Sequence, residues 1–401
     1  MFLSTNNGAS WAQTNSGLHQ VPITDLAVSG GTLLAGAFRG GVFRSTDNGT
    51  SWMQVNSGLA SPGVNALMVA PVTGQHTDAT VFAGTYNGLF RSTNGGMAWT
   101  RADSGLPSLS IRALAVSADA GYTNIYAGTG SGAFRSTDNG SSWKDISPVL
   151  NVAVTAFAVN NANLFAGTQK GRVYLSTNCG NSWSDSYSGL SAPNGIEALI
   201  AYDTVLFAGT SGCTQRSTNN GASWEEGSYD AYDCQDFAVC GTTVFAGSWN
   251  SSVFFSTNNG ILWRDARTGL KKTQVNALAV VGSNLFAGTT AYGVWKRPIG
   301  EMITSVEPMS RELPAEFGLA QNYPNPFNPK TVVSCQLPVA SNVKLAVYDL
   351  LGREVAVLVD EHKAPGTYPV EFDGAKLASG VYICRMIAGE YVESMKMVLM
   401  K

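Results

Sequence analysis

The chain has 401 residues, 44% hydrophobic and 13% charged. That length suits a large domain plus a small one, with enough apolar residues to bury real cores. Net charge is −3 with no basic run, which argues against a nucleic-acid groove, and no segment is long and apolar enough for a membrane-spanning helix.

Seven copies of Ser-Thr-Asx-x-Gly-x-x-Trp occupy the first 263 residues, starting at Ser4, Ser45, Ser92, Ser136, Ser176, Ser217 and Ser256. Their tryptophans are Trp11, Trp52, Trp99, Trp143, Trp183, Trp224 and Trp263, spaced 39 to 47 residues apart. A period of that size marks one multi-strand unit repeated. In the second unit, Thr24–Val28, Thr32–Gly36, Gly41–Ser45 and Trp52–Val55 are predicted as short strands, and no helical period appears. Four short antiparallel strands per unit fit a propeller blade; a β-solenoid has shorter rungs. The 44 glycines suit many tight turns. The small Ala-Gly-Thr strands fit close packing between blades.

The box has a turn mechanism. Asp47 and Asp138 in two copies, and Asn in five, fold a side-chain oxygen onto backbone N–H groups, while Gly supplies positive φ. The Trp then buries a large apolar surface. These boxes resemble the Asp-box, or BNR repeat, of sialidase-like and sortilin-like propellers, over residues 1 to 297. The resemblance implies an all-β propeller whose boxes, including Asp47, Trp52, Asp138, Trp143, Trp183, Trp224 and Trp263, are structural. Six units are complete. The partial ends are expected to share a seventh blade, overlapping at one strand. The start of the chain inside a repeat, with no secretory leader, predicts N-terminal truncation.

Residues 298–316 read as a linker, followed by a small domain at 317–401 with strands predicted at Thr331–Leu337, Val343–Tyr348, Glu354–Val359, Gly366–Phe372, Gly380–Met386 and Tyr391–Met400. Alternating strands over about 85 residues suggest an Ig-like β-sandwich. Several motifs here resemble the type A sorting domain of the type IX secretion system: Tyr323-Pro324-Asn325-Pro326-Phe327-Asn328-Pro329, Val347-Tyr348-Asp349-Leu350-Leu351-Gly352-Arg353, Leu377-Ala378-Ser379-Gly380-Val381-Tyr382 and the terminal Lys396-Met397-Val398-Leu399-Met400-Lys401. The resemblance implies export from a Bacteroidetes-like cell, a translocon and a surface sortase as partners, and an extracellular or outer-membrane-surface destination.

Chemistry is sparse. The sialidase-like reading lacks an Arg-Ile-Pro motif, and Arg44, Arg91, Arg135 and Arg216 form one repeated row before the box. Cys179, Cys213, Cys234, Cys240, Cys335 and Cys384 show no zinc spacing, and their pairing stays open. Scattered His19, His76 and His362 suggest no catalyst. No cofactor is indicated; Asp230, Asp233 and Asp236 are a candidate Ca²⁺ cluster, weighed against a solvated acidic loop. Loops joining second and third strands carry the candidate ligand-binding residues Phe38, Arg39, Tyr86, Lys170, Arg172, Trp249 and Tyr292. The expected function is a secreted or cell-surface non-catalytic propeller binding glycan or protein. The alternative is a sialidase-like glycoside hydrolase. An assembly factor of the photosystem type is disfavoured by the tail.

Overall fold

The computed structural model describes residues 16–18, 21–71, 79–119, 122–147, 152–160, 162–192, 194–202, 204–226, 231, 233–250, 252–266, 270–304, 316–363 and 366–400. Two compact units divide the chain, Met1–Ile303 and Thr304–Lys401.

Among the described residues, the first unit contains seven antiparallel sheets. Six have four strands in sequential order, as in Ile23–Ser29, Thr32–Ala37, Gly41–Ser45 and Met53–Gln54. The seventh has three: Val275–Val281, Asn284–Thr289 and Gly293–Pro298. How residues 1–15 relate to that sheet lies outside the described residues. Each first strand packs against the first strand of the next sheet, and Val275–Val281 packs back against Ile23–Ser29, closing a ring. Asn276 Nδ2 donates to Ile23 O at 2.8 Å across that closure.

The second strands Thr80–Thr85, Val205–Thr210 and Thr243–Ser248 are buried along their whole length, and Thr32–Ala37, Asn163–Thr168 and Asn284–Thr289 are buried beyond their first residue. A short continuous apolar run suits a strand covered on both faces. Here the covers are the neighbouring sheets. Apolar clusters fill the gaps between sheets; one joins Leu34, Val42 and Val55 to Val64, Val81 and Trp99. Within these gaps the glycine of the second strand faces the next sheet's first strand. A Cβ on Gly84 would lie 2.6 Å from Ile111 Cγ2, and one on Gly288 would lie 2.6 Å from Ile23 Cγ2.

The repeat box ties each sheet to its neighbours at a larger radius. The indole N–H groups of Trp99, Trp143, Trp183 and Trp224 donate to the carbonyls of Val55, Ala102, Ile146 and Ser186 in the preceding sheet, at 2.6–2.8 Å. All four are buried except Trp183, which is partly so. Trp52 and Trp263 are buried too, and Trp11 lies outside the described residues. The arginine row serves the following sheet: Arg91 and Arg135 donate to the carbonyls of Asn139 and Cys179 in the next box, at 2.7 and 2.8 Å. In the last sheet Lys296 takes that place and donates to Asn48 O at 3.3 Å.

The stretch read as linker opens with a helix, Ile299–Thr304. Ile299 and Met302, three apart on one helical face, are buried in a cluster with Trp295 and Leu285. The second unit holds a three-stranded sheet of Gly318–Tyr323, Lys330–Leu337 and Gly366–Asp373. Its four-stranded sheet has the order Glu354–Lys363, Ser341–Tyr348, Gly380–Ala388, Tyr391–Leu399. Val333, Leu337 and Phe372 from the first share one core with Leu345, Met386 and Met397 from the second, forming a β-sandwich. All six cysteines are free thiols.

The glycine contacts give a direct test. Gly84→Ala is expected to destabilise the ring by about 1–3 kcal/mol, because an added methyl overpacks the gap to Ile111. Equilibrium urea unfolding followed by tryptophan fluorescence reads this; an unchanged midpoint would contradict so close an approach.

Candidate functional site

Antiparallel order gives the ring two unlike faces. In each four-stranded sheet, the turn between first and second strands and the box lie at one end, as the register of the first described sheet shows. The turn between second and third strands and the entry to the first strand lie at the other.

The box face is built for rigidity. Asp47 Oδ1 accepts the Ser51 amide at 2.9 Å and the Ser45 hydroxyl at 2.8 Å, and Ser45 Oγ accepts the Gly49 amide at 2.9 Å. Burial pushes the Asp47 carboxyl up, but the bonds from Ser51 and Ser45 outweigh it and bring it to about 2. Asp138 is held at about 2 in the same way, burial being outweighed by Ser142, Ser136 and the Ser141 amide. Asn94, Asn178, Asn219 and Asn258 accept the corresponding amides at 2.9–3.0 Å. The amide oxygen thus preserves the turn without charge.

The opposite face carries the variable side chains. Phe38 and Tyr86, from adjacent sheets, meet edge to face at 5.8 Å, with the Arg39 guanidinium 5.8 Å from the Phe38 ring. Arg172 lies over Tyr187 at 5.1 Å, while Lys170 is exposed. Tyr292 packs edge to face on Trp295 at 6.4 Å and takes the Lys271 ammonium over its ring at 5.3 Å. The candidate residues therefore form separate groups around the face.

Trp249 is different. Its side chain is 50% exposed and borders an open trough of about 380 Å³ lined by Trp249, Asn250, Lys272, Thr273, Gln274, Thr290 and Ala291. The walls come from two neighbouring turns and the segment entering the last sheet. The Trp249 amide donates to Asp233 O at 2.9 Å, with Asp233 at φ 50°, and Asn250 Nδ2 donates to Asp233 Oδ2. Across the trough, Thr290 Oγ1 donates to Gln274 Oε1 at 3.0 Å, and Asn276 Nδ2 donates to Thr290 Oγ1 at 3.0 Å. Sequence reasoning found Trp249 but missed the residues from 272 to 274. The adjacent Lys271-Lys272 pair was the available signal.

The acidic cluster separates in the fold. Asp230 lies outside the described residues. Asp233 holds the turn just described. Asp236 points into the ring, where Oδ1 and Oδ2 accept the Phe237 and Leu278 amides at 2.8 and 2.7 Å. Its equivalent in the first described sheet, Asp25, accepts the Leu26 and Leu67 amides at 2.7 and 2.6 Å. Alanine occupies this position in the other five sheets, for example Ala66 and Ala277. Burial pushes Asp25 up to about 7, against the Leu67 and Leu26 amides. Burial and then the charge of Asp25 push Asp236 up to about 8. Among the described residues, no group of three or more His, Cys, Asp or Glu is arranged to hold a metal ion.

Comparison with known proteins places both units. Residues 321–400 match the family described as the secretion system C-terminal sorting domain. The tail therefore marks a secreted or outer-membrane-surface protein that engages the type IX secretion machinery. PorZ, a bacterial surface component of the type-IX secretion system of Porphyromonas gingivalis, is similar at TM-score 0.52 and 14% identity, over 95% of this chain and 59% of that one. YCF48 from Cyanidioschyzon merolae is similar at TM-score 0.53 and 16% identity, over 73% of this chain and 99% of that one. The GH74 xyloglucanase of Xanthomonas campestris is similar at TM-score 0.54 and 14% identity, over 82% and 59%. These likenesses show the β-propeller fold. No curated protein sequence gives a match.

The half-buried carboxylates set a pH dependence. Their folded values, about 7 and about 8, lie above the ordinary aspartate value of 3.8. Between these limits the native state keeps protons that the unfolded chain has released. Their contribution to stability is full below pH 3.8 and is lost as pH rises through 7 and 8. The double substitution Asp25→Ala, Asp236→Ala adopts the residue used in the other sheets. Thermal melts from pH 4 to 8 are expected to show a smaller fall in melting temperature for this variant than for the natural chain. An identical fall in both would refute the assignment.

Proposed function

We propose that this chain is a secreted or cell-surface, non-catalytic, seven-bladed β-propeller of the Asp-box class that binds a glycan on its loop face. An Ig-like sorting domain carries it to the translocon, and a surface sortase removes that domain. The observation that carries the binding reading is Trp249, half exposed beside a trough of amide, hydroxyl and ammonium groups. An exposed ring suits the apolar face of a pyranose, and convergent polar groups suit its hydroxyls. Phe38 and Tyr86, by contrast, pack on each other. The boxes support a structural role, since their side chains are engaged by their own turns.

Glycoside hydrolysis is the second reading, and the likeness to a xyloglucanase is what favours it. Hydrolysis requires two carboxyl groups flanking the scissile bond. The trough lining offers groups suited to holding a sugar, and the half-buried Asp25 and Asp236 are each bound to two backbone amides.

A glycan array on the full chain tests the binding. Trp249→Ala is expected to weaken binding several-fold or more, through loss of the aromatic face on which an apolar sugar face would lie, with an unchanged melting temperature. Tyr86→Ala is expected to bind as the natural chain does. Release of reducing sugar from a bound glycan would favour hydrolysis instead. For export, removing residues 317–401 from a chain supplied with a periplasmic leader, in a host with type IX secretion, is expected to leave the propeller in the periplasm. Its arrival in the medium would refute the role of the tail.

A further inference from the structure

Motifs that are separate in the sequence of the second unit meet at one end of its sandwich. Tyr348 pairs with Ile383 and Gly380 pairs with Leu399, so the turn after Tyr348 lies at the end where one neighbouring strand starts and another finishes. Phe327 N donates to Val398 O at 2.8 Å, and Met400 N donates to Phe327 O at 2.9 Å, which brings the proline-rich segment to the same end. Large apolar side chains gather there in the open: Tyr323, Leu350, Leu351 and Met400 are 57–79% exposed. The turn that carries the two leucines is fixed. Asp349 Oδ1 accepts the Leu351 and Arg353 amides at 2.9 and 3.0 Å, and Oδ2 pairs with Arg353 Nε at 2.7 Å. Gly352 takes φ 78° and donates its amide to Asp349 O at 3.0 Å. Neither leucine belongs to the apolar core of the unit. Turns in water favour polar residues, so the fold itself gives no reason for leucine at these two positions.

We infer that this end of the sandwich is the surface by which the type IX secretion machinery takes hold of the chain, with Leu350 and Leu351 entering an apolar pocket of that partner. Apolar side chains grouped on a surface mark an interaction site, whereas singly scattered ones do not. A turn already held in shape loses little freedom on docking, which favours affinity. The occupant follows from the match of residues 321–400 to the secretion sorting domain, a stretch that contains all four exposed side chains. The inference rests on reading the tail as the export signal and adds the side chains through which it is read.

The test places the full chain, supplied with a periplasmic leader, in a host with type IX secretion. Leu350→Gln combined with Leu351→Gln keeps the length of both side chains and replaces their apolar ends by amides. This variant is expected to lower the secreted amount several-fold or more, with folded protein held in the periplasm. Leu350→Met combined with Leu351→Met keeps the apolar character and is expected to be secreted as the natural chain is. Val339→Gln, on an exposed turn at the opposite end of the sandwich, is also expected to be secreted normally. Melting temperatures of the purified variants serve as the folding control, and Leu351→Gln alone carries the test if the double variant melts lower. A photo-crosslinking amino acid in place of Leu351 is expected to trap a component of the secretion machinery, and one in place of Val339 is not. Normal secretion of the double glutamine variant, with retention of a chain lacking residues 317–401, would overturn the docking surface and leave the sorting role standing. Equal trapping from positions 339 and 351 would also overturn it. Secretion of the shortened chain would overturn the sorting role itself.

Discussion

The hydrogen bond that Trp99, Trp143, Trp183 and Trp224 each give to a carbonyl of the preceding sheet is the contact around which the ring is organised. An indole N–H buried without an acceptor costs about 1–3 kcal/mol, so the Trp side chain sets the spacing between sheets. Two further contacts act at other radii. Nearer the axis, a glycine lets the second strand lie against the next inner strand, as Gly84 does against Ile111. Farther out, an arginine holds the carbonyl of the next box, as Arg91 does with Asn139. Three contacts at three radii fix how one sheet turns relative to the next. With that geometry set by the framework, the turns on the far face are released from structural duty.

Much of this framework is legible in the sequence because it is repeated. Predicted strands such as Thr32–Gly36 and Gly41–Ser45 recur as Thr32–Ala37 and Gly41–Ser45. In the tail, predicted Gly366–Phe372 is observed as Gly366–Asp373. What resisted reading is what departs from the repeat or reaches across it. Asp236 read as part of an acidic run with Asp230 and Asp233. Only the fold shows that it occupies an inner-strand position and meets the Leu278 amide of the next sheet, 42 residues later. The helix Ile299–Thr304 is too short to show a helical period, and the strand Gly318–Tyr323 is masked by its Asn and Gln residues.

The face that carries the trough was legible in outline only. Variable aromatics in equivalent turns pointed to the end of the sheets where the trough opens. They did not say which rings would be covered. Phe38 and Tyr86 face each other because their sheets are neighbours, and Tyr292 turns to Trp295 within its own sheet. Trp249 stays open, and its trough is completed by Lys272 and Thr273 from a connecting segment that the strand pattern leaves undescribed.

Closure of the ring has a kinetic consequence. The contacts that complete it, Asn276 to Ile23 and Lys296 to Asn48, join residues 253 and 248 positions apart. Bonds of such long range form late, after the entropy of closing a very large loop has been met. Until the last sheet arrives, the first sheet presents Leu26, Phe43 and their neighbours without the Ala279, Phe286 and Val294 that share their cluster. A partly made propeller is therefore an adhesive arc, with an apolar flank at either end. Its safest course is to finish the circle in one event, once the whole repeat array is present in the same compartment.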